Sequence, residues 1–208
     1  MPTLELESAA SAEVGSLLIA GLDEAGRGAV AGPVVAAAVI LPLDEPRRLA
    51  RLSDVDDSKK LTPRKREMLF DLVVDLSLAY GIGSASAREI DDFGIIGATV
   101  LAMDRAAGML EPPPDYLIID GRIKLRDIPI PQQSIIRGDG KSLSIAAASI
   151  LAKVSRDRVM LDNHKNYPAY GFARHKGYCT ALHVDALSLH GPCPIHRHTF
   201  APIRRTLI

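Results

Sequence analysis

Cysteine is scarce in these 208 residues: Cys179 and Cys193 are the only two, which is too few for a disulfide framework. Residues 1–16 carry Glu5, Glu7 and Glu13 around no apolar core, so nothing there resembles a signal peptide. The apolar runs are broken by glycine, proline or charge well short of the roughly 20 residues a membrane-spanning helix needs. A soluble, cytoplasmic protein without a membrane partner is expected. Tryptophan is absent and aromatics make up 4% of the chain, against 47% hydrophobic residues, so aliphatic side chains must fill the core. The formal net charge is zero, which by itself favours no polyanionic partner. Two nucleotide-binding signatures are missing as well. No G-x-x-x-x-G-K-[ST] occurs, and Gly26, Gly28 and Gly32 are spaced too widely for G-x-G-x-x-G.

What is present is organised around residues 17–34. Leu17 to Leu22 is an apolar run interrupted only by Gly21, and it ends on Asp23-Glu24, followed by the turn Ala25-Gly26-Arg27-Gly28. Such a run suits a buried strand. Neighbouring strand residues point to opposite faces, so the two carboxylates are expected to share a site through a backbone bend supplied by Gly26 and Gly28. Adjacent acids beside bare backbone suit a divalent cation and a close-approaching phosphate or sugar. An acidic hairpin turn after an ordinary strand is the plainer alternative.

Residues 1–16 are expected to be a flexible leader, and residues 17–208 one domain. A second apolar run, Pro33 to Leu41, completes a hairpin. Thr62-Pro63 reads as the cap and first turn of a helix over 63–77, with Met68, Leu69, Leu72, Val73 and Leu76 as its apolar stripe. A strand is expected over 78–86, helices over 87–92 and 97–110, and strands over 116–120 and 134–137. A long alanine-rich helix follows from Ser142 to about Met160, then an irregular aromatic loop and a last short helix over 180–189, closed by Gly191. This order fits an α/β layered domain with a mixed sheet. Two further strands end on acids next to glycine, at Asp120-Gly121 and Gly138-Asp139, making Asp23, Glu24, Asp120 and Asp139 the candidate ligands of a hard divalent ion.

Charge is unevenly spread. Residues 151–208 hold nine Lys/Arg against three Asp, and all six histidines lie between His164 and His198. The asymmetry suits a polyanion-facing C-terminal part beside an acidic N-terminal one, or simply a solvated basic surface. Cys179 with His183, and Cys193 with His196 and His198, lack the paired spacing of a zinc site.

The segment Asp23-Glu24-Ala25-Gly26-Arg27-Gly28, with Gly32-Pro33-Val34, resembles the signature of the bacterial ribonuclease HII family. The resemblance continues through Asp57-Ser58-Lys59-Lys60-Leu61-Thr62, Ile118-Ile119-Asp120-Gly121, Gly138-Asp139, the run Ser144 to Asp157, His175-Lys176-Gly177-Tyr178, and Gly191-Pro192 through His196-Arg197. It spans about residues 17–200. Arg27 and the short leader make the sister ribonuclease HIII family the weaker match. The resemblance implies a ribonuclease H-like mixed sheet flanked by helices, with a C-terminal helical extension over about 161–208 that binds substrate. It implies a nuclease cutting the RNA strand of RNA/DNA hybrids and single ribonucleotides in duplex DNA, 5′ of the ribonucleotide, leaving a 3′-OH and a 5′-phosphate. Asp23, Glu24, Asp120 and Asp139 would be catalytic and hold Mg²⁺ or Mn²⁺, two ions during catalysis. Gly26, Arg27 and Gly28 would read the 2′-OH, which alone separates RNA from DNA at one nucleotide, and Tyr178 would pack on the sugar at the junction. Lys59, Lys60, Lys153, Arg156, Lys176 and Arg197 are candidate phosphate contacts, though each taken singly also suits a solvated surface. Asp157 is assigned to an ion pair or cap. A hybrid-binding module without catalysis and a junction resolvase on the same fold are the competing functions. A monomer is expected.

Overall fold

The computed structural model describes residues 1–205, so the last three positions of the expected C-terminal extension lie outside the described residues. Five strands form one mixed sheet: β1 Ile19–Ala25, β2 Val34–Ile40, β3 Ala79–Ala85, β4 Tyr116–Asp120 and β5 Gln132–Ile135, in spatial order β3-β2-β1-β4-β5. The expected hairpin is present, with β1 and β2 antiparallel from Ala20↔Ile40 to Ala25↔Val35, while β4 lies parallel to β1 and β5 parallel to β4. The longer helices are α1 Glu5–Val14, α2 Pro63–Leu76, α3 Ala87–Ala107, α4 Leu143–Asn166 and α5 Ala181–His190. No helix among the described residues is long and apolar enough to cross a membrane.

Strand β2 shows why this sequence needs helices on both faces. All seven of its residues are buried, as expected of a strand sandwiched between layers. Val34, Ala36, Ala38 and Ile40 pack with Ile90, Ala98, Ala102, Met103 and Ala106 of α3. Ala37 and Val39 point the other way, towards Leu69, Val73 and Leu76 of α2 and Ala147, Ile150 and Leu151 of α4. Helix α4 lies so close to β1 that a Cβ on Gly21 would fall 2.4 Å from backbone atoms of Ser144 and Ile145. The alanine-rich start of α4 is thus the surface that lets helix and sheet approach.

Several expectations need correcting. Residues 5–14, part of the expected flexible leader, are helix α1, and its Glu7 is fully buried. One Glu7 oxygen accepts from the Ser142 hydroxyl (2.6 Å), the Ser144 N–H (2.8 Å) and the Ser144 hydroxyl (2.7 Å). A carboxylate at the first turn of α4 is favoured by the unpaired N–H groups and the helix dipole. In α2, Leu69, Val73 and Leu76 are buried but Met68 is 55% exposed, because only one narrow side of this helix meets the sheet and α4. The two expected helices over 87–110 join as α3 with a break at Gly94. The strand expected over 134–137 is β5, shifted towards the N-terminus, since Arg137 already has φ +56°. Helix α4 runs to Asn166, absorbing the start of the expected aromatic loop, and a helical turn over Ala201–Arg204 follows α5.

Candidate active site

The backbone does not bend at the acids. Asp23 and Glu24 stay in regular register with β2, opposite Ala37 and Ala36, and β1 continues to Ala25. They reach a common space because pairing between β1 and β4 ends at Leu22↔Ile119, opening the sheet at the carboxyl ends of two parallel strands. Asp120 closes β4 beside this opening. Its Oδ1 accepts the Gly138 N–H at 2.6 Å, which brings the turn Gly138–Gly140 and the buried Asp139 alongside. Lys59 Nζ reaches across from the turn Ser58–Lys60 to Asp139 Oδ2 at 3.0 Å.

The electrostatics are those of crowded acids. Burial, then Glu24 and Asp120, push the Asp23 carboxyl well above its ordinary range. Burial also raises Glu24 and Asp120. Burial opposes the charge on Lys59, yet its bond to Asp139 and the neighbouring carboxylates carry it up to about 12. Glu24 Oε2 is buried without a hydrogen-bond partner. An oxygen-only donor set with one orphaned oxygen suits a hard divalent cation. Among the described residues, however, no three His, Cys, Asp or Glu side chains form a closed ligand group.

The glycine turn is held from behind by two arginines that the sequence placed on the surface. Arg197 is fully buried and donates to the carbonyls of Gly32 (3.0 Å), Arg27 (3.0 Å) and Gly26 (2.8 Å). Arg156, also fully buried, donates to Pro33 (2.9 Å), Ala31 (3.1 Å) and Lys176 (2.9 Å). Neither is available as a surface phosphate contact, so that expectation is withdrawn for both. Gly26 has φ +96° and a Cβ there would meet Arg156 Nε at 1.9 Å, so the fold itself demands glycine. Gly28 differs: its φ is ordinary and a Cβ would meet nothing within 4 Å. The fold itself does not demand glycine at 28, whose backbone is exposed.

Tyr178 is 38% exposed, with Arg156 Cζ 5.4 Å and Lys153 Nζ 5.9 Å from its ring centroid. Its backbone is fixed by a histidine relay that no spacing rule revealed. His196 Nδ1 takes the Cys193 N–H at 2.8 Å, His196 and His183 share a proton between Nε2 atoms 3.0 Å apart, and His183 Nδ1 reaches the Tyr178 carbonyl at 3.0 Å. Only neutral rings satisfy all three contacts at once: His196 Nε2–H donates to His183 Nε2, and His183 Nδ1–H to the carbonyl. Burial accordingly lowers His183, and lowers His196 to about 4. A histidine held below its unfolded value contributes stability above about pH 6.5, which is lost as pH falls towards 4. Thermal melts at fixed ionic strength should show a drop from pH 7.5 to 4.5 that shrinks in His196→Asn; an identical drop in both proteins would remove the relay from the stability of this region. Cys179 is exposed, Cys193 is buried, and both are free.

One cleft of about 230 Å³ is lined by Asp23, Glu24, Gly26, Arg27, Gly28, Ser58, Lys59, Asp120, Lys153 and Tyr178. It therefore gathers most of the residues singled out from the sequence, with Asp139 joined through Lys59. Lys176 is apart from it, its ammonium bonded to the Ala173 carbonyl. Lys60 pairs with Asp56 at 3.0 Å, and Asp157 with Lys153 at 2.7 Å, the ion pair expected of it. Ser58 has no role in the sequence reading, although it lies between Asp57 and Lys59 in a matched segment.

Residues 20–203 match the family model described as Ribonuclease HII. A ribonuclease HII of Acetivibrio thermocellus is 55% identical over 89% of this chain and 70% of its own length. One of Geotalea uraniireducens is 53% identical over 97% of this chain and 90% of its own. Among solved structures, ribonuclease H2 from Pyrococcus horikoshii OT3 superposes with a TM-score of 0.76 at 27% identity, covering 90% of this chain and 96% of that one.

Proposed function

The chain belongs to the ribonuclease HII family and is a ribonuclease H endonuclease, and from that premise we propose that it cuts both RNA/DNA hybrids and single ribonucleotides embedded in duplex DNA. Cleavage falls 5′ of the ribonucleotide and leaves a 3′-OH and a 5′-phosphate. Asp23, Glu24, Asp120 and Asp139 hold Mg²⁺ or Mn²⁺, two ions during catalysis, and the enzyme works as a cytoplasmic monomer. The observation that carries this reading is the single cleft in which three of those acids, the Gly26-Arg27-Gly28 turn and Tyr178 face one another.

Bound there, the ions would polarise the scissile phosphate and lower the pKa of the attacking water. The rest falls to the chain's own residues. The turn Gly26-Arg27-Gly28, exposed at Arg27 and Gly28 and held from behind at Gly26, closes on the 2′-OH, where Gly28 leaves room for the sugar. Tyr178 packs against the neighbouring sugar on the DNA side, steadied by the relay beneath it. Lys59 offers a cation to phosphate once Asp139 is otherwise engaged, and Lys153 stands at the same wall; Lys176, near Tyr178, serves the flank of the duplex.

A panel of labelled duplexes containing no ribonucleotide, one, or a long RNA tract, incubated with Mg²⁺ or Mn²⁺, tests the reading. Cleavage of the second and third only is expected. Binding without cleavage would favour a hybrid-binding module, and cutting of branched all-DNA substrates a resolvase. Within this panel, Gly28→Ala should keep thermal stability within about 1 kcal/mol of wild type, while single-turnover cleavage at an isolated ribonucleotide falls at least tenfold. Tyr178→Ala, at a partly exposed position, should cost about 1 kcal/mol and lower junction cleavage more than metal affinity. A loss of about 3 kcal/mol with intact specific activity of the folded fraction would make Tyr178 a packing residue instead.

A further inference from the structure

A second groove, of about 680 Å³, adjoins the cleft and none of the residues so far given a role explains it, apart from Arg27. Its floor is apolar: Ile96 and Val100 of α3, Ile123, and Ile136 after β5. Ile96 is 64% exposed and Ile136 53%. Its wall is the segment Arg122-Ile123-Lys124-Leu125-Arg126, which alternates strictly: Ile123 and Leu125 are buried, while Arg122, Lys124 and Arg126 face out. The three cations have no ion-pair partner among the described residues, with Asp127 the one acid in the groove's lining.

This wall is fixed in place. Gln132 grips Leu125 with both ends of its amide, accepting the Leu125 N–H at 2.8 Å and donating to the Leu125 carbonyl at 2.7 Å. The Ser134 hydroxyl donates to the Ile123 carbonyl at 2.5 Å. Strand β5 thereby holds a row of three unpaired cations at the two-residue spacing of extended backbone. A merely solvated loop needs neither the pinning nor the missing acids, and an exposed apolar floor between cations marks a recognition surface.

We propose that this groove binds the sugar–phosphate backbone of the substrate duplex beyond the scissile junction, with phosphates along Arg122, Lys124 and Arg126 and sugar edges over Ile96 and Ile136. The occupant is identified by charge complementarity and by continuity. Arg27 lines both the cleft and the groove, and Gly121, at the groove's near end, directly follows Asp120; Tyr178 lines the cleft alone. A nucleic acid seated in the cleft therefore runs on into the groove on the side away from Tyr178. The inference rests on the nuclease reading above for the identity of the duplex, and extends it to a flanking subsite outside the catalytic residues.

The test is binding, read separately from cleavage. Fluorescence anisotropy in EDTA, with duplexes carrying one central ribonucleotide and trimmed from either end, should show wild-type affinity falling when one particular flank is shortened. The variant Arg122→Glu/Lys124→Glu/Arg126→Glu should bind the full duplex at least tenfold more weakly, be indifferent to that flank, and lose about 2 to 3 from its log K against log salt slope, at about 0.9 per phosphate. Its cleavage at subsaturating duplex should fall in step with its affinity. Lys124→Glu alone, losing about 1 from the slope, serves if the triple variant melts early. Unchanged affinity and slope in both variants would overturn the proposal. Loss of polyglutamate binding with duplex binding intact would overturn it in favour of an acidic protein partner. Failure of wild type to cut any ribonucleotide-containing duplex would instead strike at the nuclease reading, and the binding series would still report on the groove.

Discussion

Asp23→Asn and Asp120→Asn are expected to lower single-turnover cleavage by about 100-fold or more, the scale on which removal of one group stabilising transition-state charge is felt, without loss of stability in the metal-free protein. The two parts have one cause. Burial and the neighbouring carboxylates raise Asp23, and burial raises Asp120, so each acid is held where its charge is unfavourable until a cation arrives. For an acid whose folded pKa lies above its unfolded one, the penalty is absent below the unfolded value near 4 and grows as pH rises through the folded value. Asparagine removes it. Melts in EDTA should therefore show either variant level with wild type at about pH 4 and equal or more stable at pH 8. The asparagine at 23 can still accept the Glu24 N–H that Asp23 Oδ1 holds at 2.7 Å, so geometry survives the change. Near-normal cleavage by either variant in Mg²⁺ or Mn²⁺ would sink the four-carboxylate assignment.

Arg197→Ala is expected to destabilise the protein by about 3 kcal/mol or more, the scale for three buried carbonyls losing their donors together. It strands three carbonyls that its guanidinium now satisfies, each worth about 1 kcal/mol or more when left unpaired in the interior, and it opens a cavity beside Arg156. At 2 to 4 °C per kcal/mol for a chain of this size, the melting temperature should fall by about 10 °C. Arg197→Lys keeps a charge but not the planar fork that spans three acceptors, and should recover only a minor part. Burial first, then Arg156, lowers Arg197 to about 9, and the hydrogen bonds of its guanidinium all end on backbone carbonyls. A scaffold arginine and a phosphate contact thus differ in opposite directions, one in the melt and the other in the salt dependence. A melt unchanged in Arg197→Ala, with a flatter salt dependence of duplex binding, would return Arg197 to the surface role suggested by its charge.

Much of the site was legible along the chain. Apolar runs that stop on acids beside glycine, at Asp23-Glu24 and Asp120, mark strand ends, and strand ends of a layered α/β domain are where functional groups collect. The hairpin, the Thr62 cap of α2 and the Ser142 start of α4 follow from rules that act over a few residues. Those rules see hydrogen bonds and faces within a turn or a pleat, so they reached the type of most elements but missed α1 and misplaced the ends of β5 and α4.

They were blind to partners far apart in sequence. Arg197 meets the carbonyl of Gly26 across 171 positions, Glu7 meets Ser144 across 137, and Lys59 meets Asp139 across 80. A basic residue in a basic stretch carries the same local pattern whether its guanidinium ends in solvent or among carbonyls, and the difference is set by which loops converge. The same holds for the glycines: Gly26 and Gly28 are alike as letters, but only Gly26 is confined by Arg156. By itself the sequence determined the five strands, the longer helices other than α1, and the acids near the ends of β1 and β4. Tertiary structure alone decided which cations stay free for a polyanion and which are consumed inside, because burial of a charge depends on acceptors delivered by distant segments.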